Sequence, residues 1–311
     1  MEKRLGKATR DAYGKTLIEL GKENPNIVVL DADLSKSTKT CLFQEVFPDR
    51  FFNVGIQEAN LVGVASGLAA SGKIPFVSSF ASFLVLKSYD QLRMGAAFPE
   101  LNVKVVASHG GISVGEDGAS QMAIEDIALM TSLPGCVVTI PCDEFSAAQM
   151  TRKFAEYKGL AYMRTCRPKA PIIYDEKVKI QIGKGIKLRD GKDITLVANG
   201  LLVFEALQAA EDLAKEKIEA SVIDMHTVKP LDRDLLISEA RKTGHVVVAE
   251  EHQIWGGLGS AVATLLAQEC PARMAFVAIQ DTYAESGPPD ELLDKYGLRA
   301  VDIVKAAKKI L

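Results

Sequence analysis

The sequence lacks any long apolar run. None reaches the ~18–20 residues that a bilayer-spanning helix needs, so no helical membrane span is expected. The opening Met1-Glu2-Lys3-Arg4 has no apolar signal core either, and the expected location is the cytoplasm. Cysteine is sparse and badly spaced for metal or disulfide chemistry. The five residues, Cys41, Cys136, Cys142, Cys166 and Cys270, are odd in number, far apart and without a C-x-x-C pair. Reduced thiols are the default reading, and this chain is expected to hold no metal of its own. Aromatic residues make up 6%, with one tryptophan, Trp255. Neither charge sign dominates: the net charge of −3 gives no pull toward nucleic acid or an anionic membrane surface. There is no internal repeat and no low-complexity segment.

What is present is ordinary globular composition, 48% hydrophobic and 25% charged. A chain of 311 residues is too long for one compact core of usual size, and two domains are expected. Short apolar runs alternate with helical patterns throughout. Strands are expected near residues 27–30, 51–54, 74–80, 103–109, 136–140 and 161–165. Helices are expected between them, over 7–21, 82–97, 121–132 and 143–158. Periodicity fades through Pro168, Pro171 and a charged run, then a second alternating set begins with strands at 194–198, 220–224, 245–249 and 274–279. The expected fold is therefore α/β, two doubly wound domains at 1–170 and 186–311 with a linker at about 171–185.

One stretch stands apart. Residues 51–60 run as a short strand, a turn at Gly55 and the start of a helix, and that helix continues to Gly72 almost wholly in small and apolar residues. A helix apolar on all faces is normally buried, yet Glu58 sits in its first turn. A buried carboxylate needs a partner or a purpose. Two readings stay open on this stretch alone: a helix-start carboxylate favoured by the dipole, or a group kept there for chemistry.

In open α/β sheets ligands bind beyond the carboxyl ends of the strands. The polar residues expected there are Asp33, Ser35 and Ser37, then Glu58, then Phe80 and Phe83. His109, Glu116 and Asp117 follow on a glycine-rich loop, and Arg164 and Arg167 close the set. Histidine, carboxylates, arginines and aromatics on one rim suit a small-molecule site, and arginine suits a phosphate or carboxylate. Plainer readings exist for each. His109 can be a strand-end residue, Asp117 a turn cap, Phe80 and Phe83 core at i, i+3, and the arginines solvated. The glycine-rich loop is not a P-loop, since no G-K-[ST] follows it.

Several strings carry a family resemblance in the family's order. They are Ala-Thr-Arg-Asp-Ala-Tyr-Gly at 8–14, Asp-Leu-Ser-Lys-Ser at 33–37 and Ile-Gln-Glu at 56–58. Further on come Gly-Glu-Asp-Gly-Ala-Ser-Gln-Met-Ala at 115–123, Arg-Thr-Cys-Arg-Pro at 164–168 and Val-Lys-Pro-Leu-Asp at 228–232. Together they resemble the C-terminal half of transketolase over nearly the whole chain. The resemblance implies a pyrimidine-binding domain followed by the transketolase C-terminal domain, in an enzyme of the pentose phosphate pathway. The implied cofactor is thiamine diphosphate, bound here by its pyrimidine end. The diphosphate and its Mg2+ or Ca2+ would be held by a separate N-terminal subunit. The Gly-Asp-Gly motif of the diphosphate-binding domain is missing from this sequence. The implied assembly is a homodimer within a heterotetramer, inactive without the partner.

The same resemblance implies roles. Glu58 matches the glutamate that hydrogen-bonds N1′ of the aminopyrimidine and so activates the cofactor. Phe80 and Phe83 match the aromatics packed on that ring, with one extra residue in this chain before Tyr89-Asp90-Gln91. Asp33 matches an acidic residue near the cofactor. Arg10, Ser37, His109 and Arg167 match positions that hold the sugar phosphate. Asp117 matches a carboxylate that reads a sugar hydroxyl, and Gln121 a position that bonds another. His252 reads as structural. Related expectations are a subunit like 1-deoxyxylulose-5-phosphate synthase or the beta chain of 2-oxo acid dehydrogenases. A non-catalytic binding module of the same fold is the expectation from a different class.

Overall fold

The computed structural model describes residues 2–311. Its strands, in chain order, are β1 Ile27–Asp31, β2 Phe51–Asn53, β3 Ile74–Ser78, β4 Lys104–Ala107, β5 Val137–Thr139 and β6 Ala161–Arg164. They continue as β7 Ile186–Arg189, β8 Ile194–Ala198, β9 Ala220–Asp224, β10 Thr227–Lys229, β11 His245–Gln253 and β12 Arg273–Ile279. They form two sheets, a seven-stranded one in the order β10-β5-β6-β4-β3-β1-β2 and a five-stranded one in the order β12-β11-β8-β9-β7. Every pairing is parallel except β10 with β5 and β7 with β9. Strands such as β1, Ile-Val-Val-Leu-Asp, are buried along their whole length, because helices cover both faces of the sheet. The expected α/β architecture with two doubly wound units is what forms.

Three departures have physical causes. The strands β7 and β10 were not foreseen, since each is short, antiparallel and interrupted by Lys187, Arg189 or Lys229, so neither shows an apolar run. The helix expected over 82–97 is Ala81–Lys87 followed by a π-wound segment, Gln91–Ala97. The aperiodic segment after Pro168 is fastened rather than loose. Asp143 Oδ2 accepts from the backbone N–H groups of Ile173 (3.0 Å) and Tyr174 (2.8 Å), and the Tyr174 hydroxyl donates to Asp224 at 2.8 Å.

One apolar cluster is common to the two sheets. A single cluster runs from Val28, Leu61 and Val105 through Ile140 to Val197, Met225 and Val248. At the seam Arg164 is buried. Its Nε donates to Asp126 Oδ2 (2.8 Å), a second nitrogen pairs with Asp126 Oδ1, and Nη1 donates to the Glu251 carbonyl at 2.7 Å. Tyr162 donates its hydroxyl to the same Asp126 carboxylate. Burial works against the Arg164 charge, and Asp126 more than offsets it, so the guanidinium stays ionised.

Asp224 is a different kind of buried acid. It takes hydrogen bonds from Tyr174 and from the Cys142 thiol (3.5 Å), but its other oxygen has no partner. Burial pushes its pKa up to about 7. The folded chain therefore keeps a proton that the unfolded chain releases from about pH 4, the ordinary aspartate range. This contribution to stability is complete below about pH 4 and is lost as pH rises toward 7. Asp224→Asn should flatten that decline, by up to about 4 kcal/mol across the window. Urea unfolding of both forms at pH 4.5 and 7.5 checks it, and identical differences between the two pH values would refute it.

Candidate active site

The order of the first sheet reverses beside β1. The chain steps from β1 to β2 on one side, then crosses back to β3 on the other. A crevice opens beyond the carboxyl ends of strands at such a point. Asp31 ends β1 fully buried. It accepts from the Leu34 N–H (2.6 Å) and from the hydroxyls of Thr38 (2.7 Å) and Thr40 (2.8 Å). Burial raises its pKa to about 6. Those bonds shape the turn that carries Ser37, whose carbonyl accepts from Arg10 Nη1 at 3.0 Å. The same Nη1 lies 3.4 Å from His109 Nε2. An arginine can only donate, so Nε2 is the acceptor and the imidazole proton sits on Nδ1, donated to Ser108 Oγ at 2.9 Å. Burial, then the charges of Arg10 and Arg167, push the His109 pKa down to about 3, and the ring is neutral. Arg10 Nε is buried with no partner.

His109 is also one end of an aromatic row. Its ring stacks on Phe80 at 3.7 Å between centroids, and Phe80 lies 5.6 Å from Phe83. Phe83 holds the Lys87 ammonium 4.4 Å from its centroid. That ammonium is 3.5 Å from Glu58 Oε2. Glu58 begins the helix Glu58–Ala70 and is 4% exposed, and its Oε1 has no hydrogen-bond partner. Gly55, at φ 74°, makes the turn into this helix, with its N–H bonded to Asn53 Oδ1. Glu58, Lys87, Phe83, Phe80, His109, Arg10 and Ser37 therefore form one contiguous series, with Lys87 the link between Glu58 and Phe83.

The remaining expected residues border it. The loop after β4 reaches Glu116 and Asp117, both exposed, through Gly115 and Gly118 in the left-handed region. A Cβ on Gly118 would lie 2.4 Å from Ser286 Oγ, so the loop rests directly on the second domain. Arg167 Nη1 bonds the Val114 carbonyl (2.7 Å) and the Glu116 carboxylate (3.0 Å), and its charge is felt by Arg10 and His109. Asp117 acts on Arg10 electrostatically. Gln121 takes a bond from the Ser120 hydroxyl on its side chain and from Ser82 Oγ on its carbonyl (3.1 Å). Asp33 lies farther out. It is exposed, at φ 64°, and exchanges hydrogen bonds with Asn53 across the ends of β1 and β2. Of the two arginines at the end of β6 and just beyond it, Arg164 is consumed by Asp126, and only Arg167 borders the rim. His252 is fully buried, with both ring nitrogens on backbone groups, Gln253 O and Ala128 N–H. Lys87 was not foreseen. The signal for it was its i, i+4 spacing from Phe83 on one helix.

Among the described residues no cluster of three or more His, Cys, Asp or Glu could hold a metal ion, and no helix is long and apolar enough to cross a membrane. The arrangement offers an unpaired buried carboxylate oxygen beside an aromatic surface, and an arginine-lined end for an anionic group.

Comparison with known proteins bears on the chain as a whole. The family model for the transketolase pyrimidine binding domain matches residues 6–172, and that for the transketolase C-terminal domain matches 183–303. A putative transketolase C-terminal section of Methanocaldococcus jannaschii is 46% identical over 302 residues, covering 96% of this chain and 95% of that protein. A 6-deoxy-6-sulfo-D-fructose transketolase subunit, SqwH, of a Clostridium species is 40% identical, covering 97% and 94%. Human transketolase is 39% identical over 98% of this chain, which spans only 49% of it. A solved split-gene transketolase, described as an inactive beta4 tetramer, superposes with a TM-score of 0.93 at 50% identity, covering 98% and 99%.

Proposed function

The chain belongs to the transketolase family, and on that premise we propose that it is the C-terminal subunit of a thiamine diphosphate-dependent transketolase. In this reading it moves a two-carbon ketol unit between sugar phosphates, together with a separate diphosphate-binding subunit. The observation that carries the reading is Glu58 Oε1. A buried carboxylate oxygen without a partner, on a residue joined through the Lys87 ammonium to the Phe83 and Phe80 rings, fits an aminopyrimidine that offers a ring nitrogen and a flat face. When bound, thiamine diphosphate supplies the nucleophilic carbon and stores the carbanion.

The residues of this chain do the rest. Glu58 shares a proton at the ring nitrogen N1′, while Phe80 and Phe83 pack the ring. Arg10, whose buried Nε awaits an acceptor, and Arg167 bind the anionic end of the sugar, and Ser37 lines that end. Neutral His109 bonds substrate oxygen without adding charge. Asp117 and Gln121 read sugar hydroxyls, and Asp33 borders the cofactor at the subunit contact. The metal belongs to the partner, which would supply the Gly-Asp-Gly motif missing here.

The test is co-expression with a candidate diphosphate-binding subunit, followed by a thiamine diphosphate-dependent ketol-transfer assay. Sugar phosphates serve as one set of donors and 6-deoxy-6-sulfo-D-fructose as another, because the Clostridium relative bears that name. Transfer by the pair, and by neither chain alone, is expected. Calorimetry should give weak cofactor binding to the isolated chain. Tight binding without a partner contradicts the division of labour, and a cofactor-loaded pair without transfer favours a binding module.

A further inference from the structure

The Lys87 ammonium stands where two requirements of an aminopyrimidine meet. It lies 3.5 Å from Glu58 Oε2 and 4.4 Å from the centre of the Phe83 ring. A bound pyrimidine needs the same two surfaces, the carboxylate for its ring nitrogen and the aromatic face for stacking. Phe83 and Lys87 are four residues apart on the helix Ala81–Lys87, so their side chains share one face. Glu58, at the start of another helix, reaches that face through its ion pair with Lys87. Glu58 is almost wholly buried and its other oxygen is unpaired, so among the described residues this ammonium is the one cation joined to it.

We propose that Lys87 is a placeholder: it occupies the pyrimidine position in the free subunit, compensates the Glu58 carboxylate there, and swings out when the cofactor ring arrives. The inference rests on the reading of Glu58 and Phe83 as the pyrimidine site. A buried carboxylate left without a cation is costly, which accounts for the lysine when the cofactor is absent. Its side chain is 54% exposed and on a flexible stem, so the ammonium regains water on leaving, and the exchange is easily reversible. The arriving ring replaces both of its contacts, one hydrogen bond on Glu58 and one aromatic face. Lys87 therefore competes with the cofactor and sets how readily the subunit loads.

The test measures thiamine diphosphate affinity by calorimetry on the complex with the diphosphate-binding subunit, for the wild type, Lys87→Met and Lys87→Arg. Losing an exposed ion pair and a cation–π contact from the free state should tighten binding about three- to thirtyfold in Lys87→Met. Lys87→Arg, which keeps the cation, should stay near the wild type. A merely structural lysine would leave the dissociation constant unmoved, and a lysine that remains at the site and helps hold the ring would weaken binding in Lys87→Met. Either result overturns the proposal. Glu58→Gln run alongside separates the two levels of inference. If it slows exchange of the cofactor's C2 proton while Lys87→Met leaves affinity unchanged, the placeholder fails and the pyrimidine site stands. If Glu58→Gln leaves exchange untouched, the site reading itself fails.

Discussion

Glu58→Gln is expected to slow exchange of the thiamine diphosphate C2 proton by about 10²–10⁴-fold in the complex with the diphosphate-binding subunit, the usual span for a lost acid–base group. Glutamine keeps the length and nearly the shape of the side chain, so helix Glu58–Ala70 and its packing should survive. What it loses is the ability to give up and take back a proton at its own buried, unpartnered oxygen. Deuterium exchange followed by NMR reads this step directly, without any sugar. An exchange rate within threefold of the wild type would remove Glu58 from the chemistry. It would then be a helix-start carboxylate compensated by Lys87 and nothing more.

The second large effect concerns stability. Arg164→Met should cost about 3–5 kcal/mol, because Asp126 would remain fully buried without its cation. The loss also removes the bond from Arg164 Nη1 to the Glu251 carbonyl, which ties β6 to β11. The midpoint of urea unfolding, at constant slope, measures it. Converting Asp126 to Asn in the same chain should recover part of the loss, since no unpaired charge is then left behind. A loss below about 1 kcal/mol for Arg164→Met would mean that the pair is not the buried, mutually dependent unit its geometry describes.

This arginine also marks how far the sequence could be read. Arg164 ends the strand that Arg167 follows, and residue type alone makes either one a phosphate ligand. The difference lies in Asp126, thirty-eight residues away in the chain and visible only after folding. Strands with a neighbour on each side, such as β1, β8 and β9, were legible because burial on both faces demands an unbroken apolar run. The edge strands β7 and β10 were not, because one open side tolerates Lys187, Arg189 and Lys229. Around the candidate site, the strand-end rule and the family strings together pointed to Glu58, Phe80, His109 and Arg10, which the structure brings into one series. They could not point to Lys87, whose importance comes from a carboxylate on another helix, nor separate exposed Asp33 from buried Asp31 two residues earlier.

The strand β10 has a wider consequence. It leaves the second domain to cap β5, the last parallel strand on its side of the first sheet. Cutting the connecting segment with a protease would nick the polypeptide without parting its halves, because the cap, the common core and the Arg164 tie all bridge them. Deleting everything beyond that segment would instead bare the N–H and C=O row of β5, an invitation to self-association. The candidate-site rim and the domain that lends this strand therefore travel together: the first domain cannot be exchanged or expressed alone without repairing an open sheet.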